Sequence, residues 1–306
     1  IFEGAATALI TPLTPDGVDY ENFGRLIDWQ IDAGIDALVI AGTTGEGSTL
    51  TDEEHREVLD YAVKRAAGRV PMIAGTGSND TAYAIDLTKF ACDIGYDAML
   101  VVTPYYNKAN QKGMYNHFAT VAEQVKLPIL LYNVPSRTGV GIEPSTYLAL
   151  AEHPNIVGIK EANGDISSVV DTMTRCGHKI DMYSGNDDQI VPLMSLGGLG
   201  VISVFANFCP QEMHQICQLC LDNNFAEAQK LNKLSPSTLL NMADAECFSK
   251  SALIPTMDII FDPSFRPYCE ENICGQYDAN YSCPPYCGSP EELKQRILTH
   301  KKALVL

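Results

Sequence analysis

The sequence is poor in positive charge. Its 306 residues hold 21 Lys and Arg against 38 Asp and Glu, a formal net charge of −17. A phosphate-binding surface needs a basic patch, so nucleic acid is excluded as the main partner. An anionic membrane face is excluded on the same ground. Runs of about 18 apolar residues are also absent, so no membrane-spanning helix is expected. The opening segment IFEGAATALI (1–10) has neither a basic leader nor a small-residue cleavage site. It reads as a first strand rather than a signal peptide, and a cytoplasmic location is expected. With 46% hydrophobic and 19% charged residues, the chain has the composition of a globular protein.

Several signatures of other chemistries are missing. TPLTPDG (11–17) stands where a dinucleotide-binding fold would carry its glycine fingerprint. No His-x-x-x-His motif, Asp-rich loop or glycosidase carboxylate pair is legible at the strand ends. The glycine-rich GTTGEG (42–47) lacks the lysine of a P-loop, and Glu46 would repel a phosphate.

What is present is a regular alternation. Short apolar runs occur at 6–10, 36–41, 70–74, 97–102, 128–133, 155–160, 180–184 and 200–204. They are apolar throughout rather than alternating, as strands buried on both faces must be. Amphipathic stretches such as 20–34 and 51–68 lie between them. Thr51 and Glu54 make a capping-box pattern, and Gly34, Gly68 and Gly95 stand where helices should stop. Eight strand–helix units in about 200 residues indicate an α/β protein of the (β/α)8 TIM-barrel class. A doubly wound open sheet is the alternative.

The pattern changes after residue 222. The expected division is a barrel over 1–222, a residual C-terminal helix over 223–242, and a cysteine-rich tail over 243–306. A last helix is expected from Ser289, with Pro290 at its first position. Ten cysteines without an export signal do not suggest a disulfide framework. Six are scattered, whereas Cys269, Cys274, Cys283 and Cys287 crowd together with the spacing C-x4-C-x8-C-x3-C.

Active sites of such barrels lie at the C-terminal strand ends. Lys160 closes the apolar run 156–159, which should point its stem into the barrel mouth. Burial lowers a lysine's basicity, and a neutral amine can form a Schiff base with a ketone. The same position also suits a lysine snorkelling to solvent. Tyr132 and Tyr106 offer hydroxyls for proton relay, with Thr43 or Thr44 between them; each tyrosine is equally readable as packing with a wet tip. Arg137 carries a fork suited to a carboxylate, or to a surface ion pair. His55 reads as a surface residue early in its helix.

Taken together, GTTGE (42–46), IAGTGSN (73–79), VTPYYN (102–107), LYNVPSRTG (131–139), GIKEA (158–162) and GVISV (200–204) resemble the dihydrodipicolinate synthase family, within the N-acetylneuraminate lyase superfamily of class I aldolases. The resemblance covers residues 1 to about 240. It implies condensation of pyruvate with L-aspartate 4-semialdehyde in lysine and diaminopimelate biosynthesis, without a cofactor. Lys160 would form the imine, Tyr132 would pass protons, and Thr43 would link Tyr132 to Tyr106. Tyr106 would enter the site of a neighbouring subunit, which implies a homodimer or homotetramer. Thr44 would hold the pyruvate carboxylate, Arg137 the semialdehyde carboxylate, and Gly185 and Ile202 would line the pocket. The alternatives are another pyruvate-dependent lyase, such as one acting on sialic acid, or an inactive fusion remnant; Arg137 favours the synthase.

Two departures from the family pattern stand out. In the family's lysine-feedback site His55, Asn79 and Tyr105 match, but Gly47, Asp52 and Tyr83 replace a serine, a histidine and a glutamate. Weak or absent inhibition by lysine is therefore expected. In addition, the stretch from about Met242 to Leu306 resembles the opening part of a cysteine-rich, predicted metal-binding family, in place of the synthase's usual C-terminal helices. Cys269, Cys274, Cys283 and Cys287 are the candidate ligands for zinc or an iron–sulfur cluster. The chain reads as a fusion, with lowered stability and altered assembly as the expected consequences.

Overall fold

Eight short strands, buried at all but three positions (Val102, Val157 and Asp181), close into one parallel barrel: β1 (Gly4–Ala8), β2 (Ala37–Ile40), β3 (Met72–Gly75), β4 (Ala98–Val102), β5 (Ile129–Asn133), β6 (Ile156–Glu161), β7 (Asp181–Ser184) and β8 (Gly200–Ser203). Each strand pairs with its sequence neighbours, and β8 returns to β1. The eight apolar runs and the (β/α)8 expectation are thus borne out. The computed structural model describes residues 1–232, together with two short strands at 252–255 and 302–305.

Helices α1 (Tyr20–Asp32), α2 (Asp52–Ala66), α3 (Thr81–Asp93), α4 (Gln111–Glu123), α5 (Pro135–Thr138), α6 (Pro144–Leu150), α7 (Ile166–Cys176), α8 (Ile190–Ser195), α9 (Pro210–Leu221) and α10 (Phe225–Leu231) connect or follow the strands. Side chains of Asp19, Thr51, Asp80, Asn110 and Asp165 cap five of them. Each such cap contributes about 1 kcal/mol. The Thr51–Glu54 capping box is present in full.

The sequence GxDA occurs twice, at 34–37 and 95–98, and does the same job both times. Gly34 and Gly95 end their helices with φ of 85° and 98°. Asp36 then accepts a hydrogen bond from the Ala5 N–H at 2.8 Å, and Asp97 accepts one from the Met72 N–H at 2.8 Å. Each carboxylate thereby fastens its own strand to the preceding one at the N-terminal end of the barrel. Inside, small residues from β1 and β2 (Ala6, Ala8, Ala37) face larger ones from the other strands, including Ile73, Leu130 and Tyr183. Phe2 stacks on Tyr183 with ring centroids 4.4 Å apart and closes the barrel floor.

The chain divides into two units, Ile1–Lys233 and Leu234–Leu306. In the second, Ala252–Pro255 and Lys302–Val305 pair as an antiparallel two-stranded ribbon. The end of the expected helix 223–242, the helix expected from Ser289, and Cys247, Cys269, Cys274, Cys283 and Cys287 lie outside the described residues. The five cysteines within them (Cys92, Cys176, Cys209, Cys217 and Cys220) are all free thiols.

Candidate active site

The ends of β5 and β6 carry the centre of the site. Tyr132 is the register partner of Lys160, and Asn133 that of Glu161. Alternation along a strand sends the first pair into the barrel mouth and the second pair outward, toward the helices. Tyr132 accordingly joins the cluster that fills the barrel. Lys160 is 4% exposed, with Nζ 4.3 Å from the centroid of the Tyr132 ring. Burial pulls its pKa down to about 8; Asp187 opposes that shift and Arg137 adds to it.

Tyr132 is also buried, which raises its pKa, while the Arg137 charge and a hydrogen bond with Thr43 act the other way. Thr43 belongs to the 42–47 loop, whose shape explains its glycines. The Gly47 N–H donates to the Gly42 carbonyl at 3.2 Å, and the Thr11 hydroxyl donates to the Gly45 carbonyl at 2.7 Å. A Cβ on Gly47 would lie 2.2 Å from the Ala41 carbonyl oxygen, so a larger residue there would require the backbone to shift. The motif therefore holds Thr43 at the rim by close backbone approach. Thr44 sits partly buried beside it.

Arg137 is exposed on α5, the four-residue turn that follows β5. No carboxylate among the described residues pairs with it. It lines a cleft of about 580 Å³ together with Thr43, Tyr106 and Tyr132. Tyr106 is held outward: it is 87% exposed, has φ of 71°, and makes no hydrogen bond among the described residues. Gly185 abuts the lysine, because a Cβ there would stand 3.2 Å from Lys160 Cγ and 2.7 Å from the Ala162 Cβ. Ile202 is fully buried in the same interior cluster.

Three further residues belong to this region and received no role from the sequence. Asp187 follows β7, accepts hydrogen bonds from the Ser203 hydroxyl and the Phe205 N–H, and has its pKa raised by burial. Asn133 and Glu161 stand one residue beyond Tyr132 and Lys160 and are equally buried. Two polar residues on the outward face of adjacent buried strands were the available signal. One expectation is corrected: His55 is 5% exposed, not a surface residue. Its Nε2 lies 3.0 Å from the Gly75 carbonyl, so α2 turns it inward to satisfy the carbonyl at the end of β3. Beside it, Asp52 is hydrogen-bonded by Tyr83 and paired with Arg56 at 2.9 Å.

The candidate metal ligands of the tail lie outside the described residues. Among the described residues, no group of three or more His, Cys, Asp or Glu is placed to hold a metal ion, and no helix is long and apolar enough to cross a membrane.

Comparison with known proteins gives two family matches. The dihydrodipicolinate synthetase family matches residues 1–254, and a family described as predicted metal-binding protein matches residues 252–306. The 4-hydroxy-tetrahydrodipicolinate synthase of Acetivibrio thermocellus is 52% identical over 245 residues, 80% of this chain and 82% of that protein. The crystal structure of a dihydrodipicolinate synthase from Bacillus anthracis is similar at 41% identity with a TM-score of 0.73, covering 76% of this chain and 80% of that one. The chloride-inhibited enzyme from Acinetobacter baumannii, complexed with pyruvate, is similar at 37% identity and a TM-score of 0.76, with 98% of both chains covered.

Proposed function

The chain belongs to the dihydrodipicolinate synthetase family, and from that membership we propose that it condenses pyruvate with L-aspartate 4-semialdehyde through an imine on Lys160. The product is 4-hydroxy-tetrahydrodipicolinate, the precursor of diaminopimelate and lysine. The supporting observation is the buried Lys160 amine, with a pKa near 8 against 10.5 in the open. Below both values, such a shift gives roughly 300-fold more free amine, since each pKa unit is tenfold.

Membership of the family implies the sequence of steps on these groups. Lys160 Nζ attacks the pyruvate ketone carbon, and the ketone oxygen leaves as water. Loss of a methyl proton gives the enamine, whose carbon attacks the aldehyde carbon of the semialdehyde. The semialdehyde's own amine then attacks the imine carbon and displaces Lys160, closing the ring. Tyr132, hydrogen-bonded to Thr43, moves the protons at the imine. Thr44 holds the pyruvate carboxylate, and Gly185 and Ile202 shape the pocket wall. Arg137, without a carboxylate partner among the described residues, takes the semialdehyde carboxylate. The exposed Tyr106 completes the relay in the site of a neighbouring subunit, so the active form is a homodimer or homotetramer in the cytoplasm. A coupled assay with both substrates tests this reading. Product formation supports it, whereas cleavage of N-acetylneuraminate with no condensation would assign the site to the lyases.

For the tail we propose a metal site, beyond the barrel 1–222 and the helix 223–242. Support comes from the family match over 252–306 and from four cysteines whose thiolates suit zinc or an iron–sulfur cluster. Elemental analysis of the intact chain against the Cys283→Ser/Cys287→Ser double variant tests it. Bound zinc or iron should be lost in the variant; equal metal content would contradict the site.

A further inference from the structure

Behind the paired Tyr132 and Lys160 lies a buried carboxylate that the chemistry above does not use. Glu161 is 3% exposed and has no cationic partner among the described residues. It is held instead by neutral donors from three directions. Asn133 Nδ2 donates to both oxygens, at 2.9 and 3.2 Å. The hydroxyl of Tyr147, fully buried on α6, donates at 2.9 Å, and the Asn163 N–H donates at 2.9 Å. Burial pushes the Glu161 pKa up to about 7, and these donors restrain the rise. A buried carboxylate without a counter-ion is costly, and a complete donor shell is what makes it tolerable.

The network reaches past the two strands. Asn133 Oδ1 accepts the Ile142 N–H at 3.1 Å, closing the 134–141 segment that carries Arg137. The Asn133 carbonyl accepts the Ala162 N–H at 2.8 Å, and the Glu161 carbonyl accepts the Gly185 N–H at 2.7 Å. Glu161 thus joins the lysine strand to the tyrosine strand and, through Asn133, to the arginine loop by its carboxylate, and to the glycine against the lysine stem by its backbone carbonyl.

We propose that Glu161 is a positioning residue for the condensation: as an acceptor braced by Asn133 and Tyr147, it sets the Lys160–Tyr132 pair and the Arg137 loop in one geometry. The inference rests on the Schiff-base reading of Lys160. Its physical basis is donor–acceptor complementarity. The Asn133 NH2 and the Asn163 N–H can only donate, so an amide NH2 in place of a carboxylate oxygen would meet a donor instead of an acceptor.

The experiment measures the rate of borohydride-trapped pyruvate imine on Lys160, per folded protein, at pH 8. Glu161→Gln should slow trapping by about tenfold or more and raise the KM for the semialdehyde, because a broken buried network misplaces both partners. Adding Asn133→Asp to that variant should recover the rate to within about threefold. The exchange swaps the amide and the carboxylate: the new carboxylate accepts from the new amide and still accepts the Ile142 N–H, the new amide oxygen keeps the Asn163 N–H, and the Tyr147 hydroxyl, which can also accept, turns to face the NH2. Tyr147→Phe, which removes one donor with little change in shape, should slow trapping by about threefold and decides the matter if Glu161→Gln does not fold. A purely structural role would lower the melting temperature and leave the rate per folded molecule at the wild-type level. That result, or a slow Glu161→Gln variant that Asn133→Asp fails to rescue, overturns the proposal. Absence of any adduct in the wild-type protein would instead overturn the Schiff-base reading itself.

Discussion

Lys160 and Tyr132 are register partners on adjacent strands, and the lysine nitrogen lies 4.3 Å from the centre of the tyrosine ring. An aromatic face attracts a cation at that distance, whether ammonium or iminium. Burial works against the ammonium. The Lys160 pKa near 8 has burial as its largest cause, moderated by the Asp187 carboxylate.

A pH dependence follows with a definite sign. The rate of imine formation should rise with pH and level off above about 8, as Lys160 loses its proton. Stability should respond in the same direction. The folded pKa lies below the unfolded value, so the unfolded chain holds the extra proton between about pH 8 and 10.5. The Lys160 contribution is unfavourable below pH 8 and is relieved as pH rises through that window. Urea unfolding of the wild type against Lys160→Met should show Lys160→Met gaining most stability near pH 7 and its advantage shrinking toward pH 10.

Tyr132→Phe should keep the ring and the packing but lose the hydroxyl bonded to Thr43. Turnover should drop by about 10² to 10⁴, the usual contribution of a positioned proton donor. Melting temperature should change little. Steady-state kinetics with near-normal turnover would show that the hydroxyl is not in the proton path.

Arg137→Ala separates the two substrates. A charge-assisted hydrogen bond contributes about 1.5–3 kcal/mol, so the KM for the semialdehyde should rise by roughly 10- to 150-fold. Pyruvate trapping on Lys160 should stay near the wild-type rate. Equal losses for both substrates would place Arg137 elsewhere in the mechanism.

Feedback by lysine should be weak or absent. Tyr83 commits its hydroxyl to Asp52, and Asp52 is already paired with Arg56. No free carboxylate is offered there to an ammonium group by these residues. Inhibition at micromolar lysine in the coupled assay would contradict this.

Strand number and helix caps were legible because each is local. An apolar run, a Thr51 three residues before Glu54, and a Gly34 or Gly95 at a helix end carry their own physics. Lys160 and Tyr132 were legible because they end such runs. Asn133 and Glu161 were not, although they are the very next residues. Their role depends on Tyr147 and Ile142, brought to them by folding across 14 and 9 positions. His55 was misplaced for the same reason: its partner, the Gly75 carbonyl, belongs to another strand end. Asp187 acquires meaning only from Ser203 and Phe205, at and just beyond the end of the adjacent strand β8.

The central claim is an activated amine at Lys160, and covalent capture tests it most directly. The protein is incubated with pyruvate at pH 8, reduced with borohydride, digested and mapped by mass spectrometry. The expected result is a single reduced pyruvyl adduct on the peptide carrying Lys160, absent from Lys160→Met. No adduct, or an adduct spread over surface lysines with Lys160 unmodified, would contradict it.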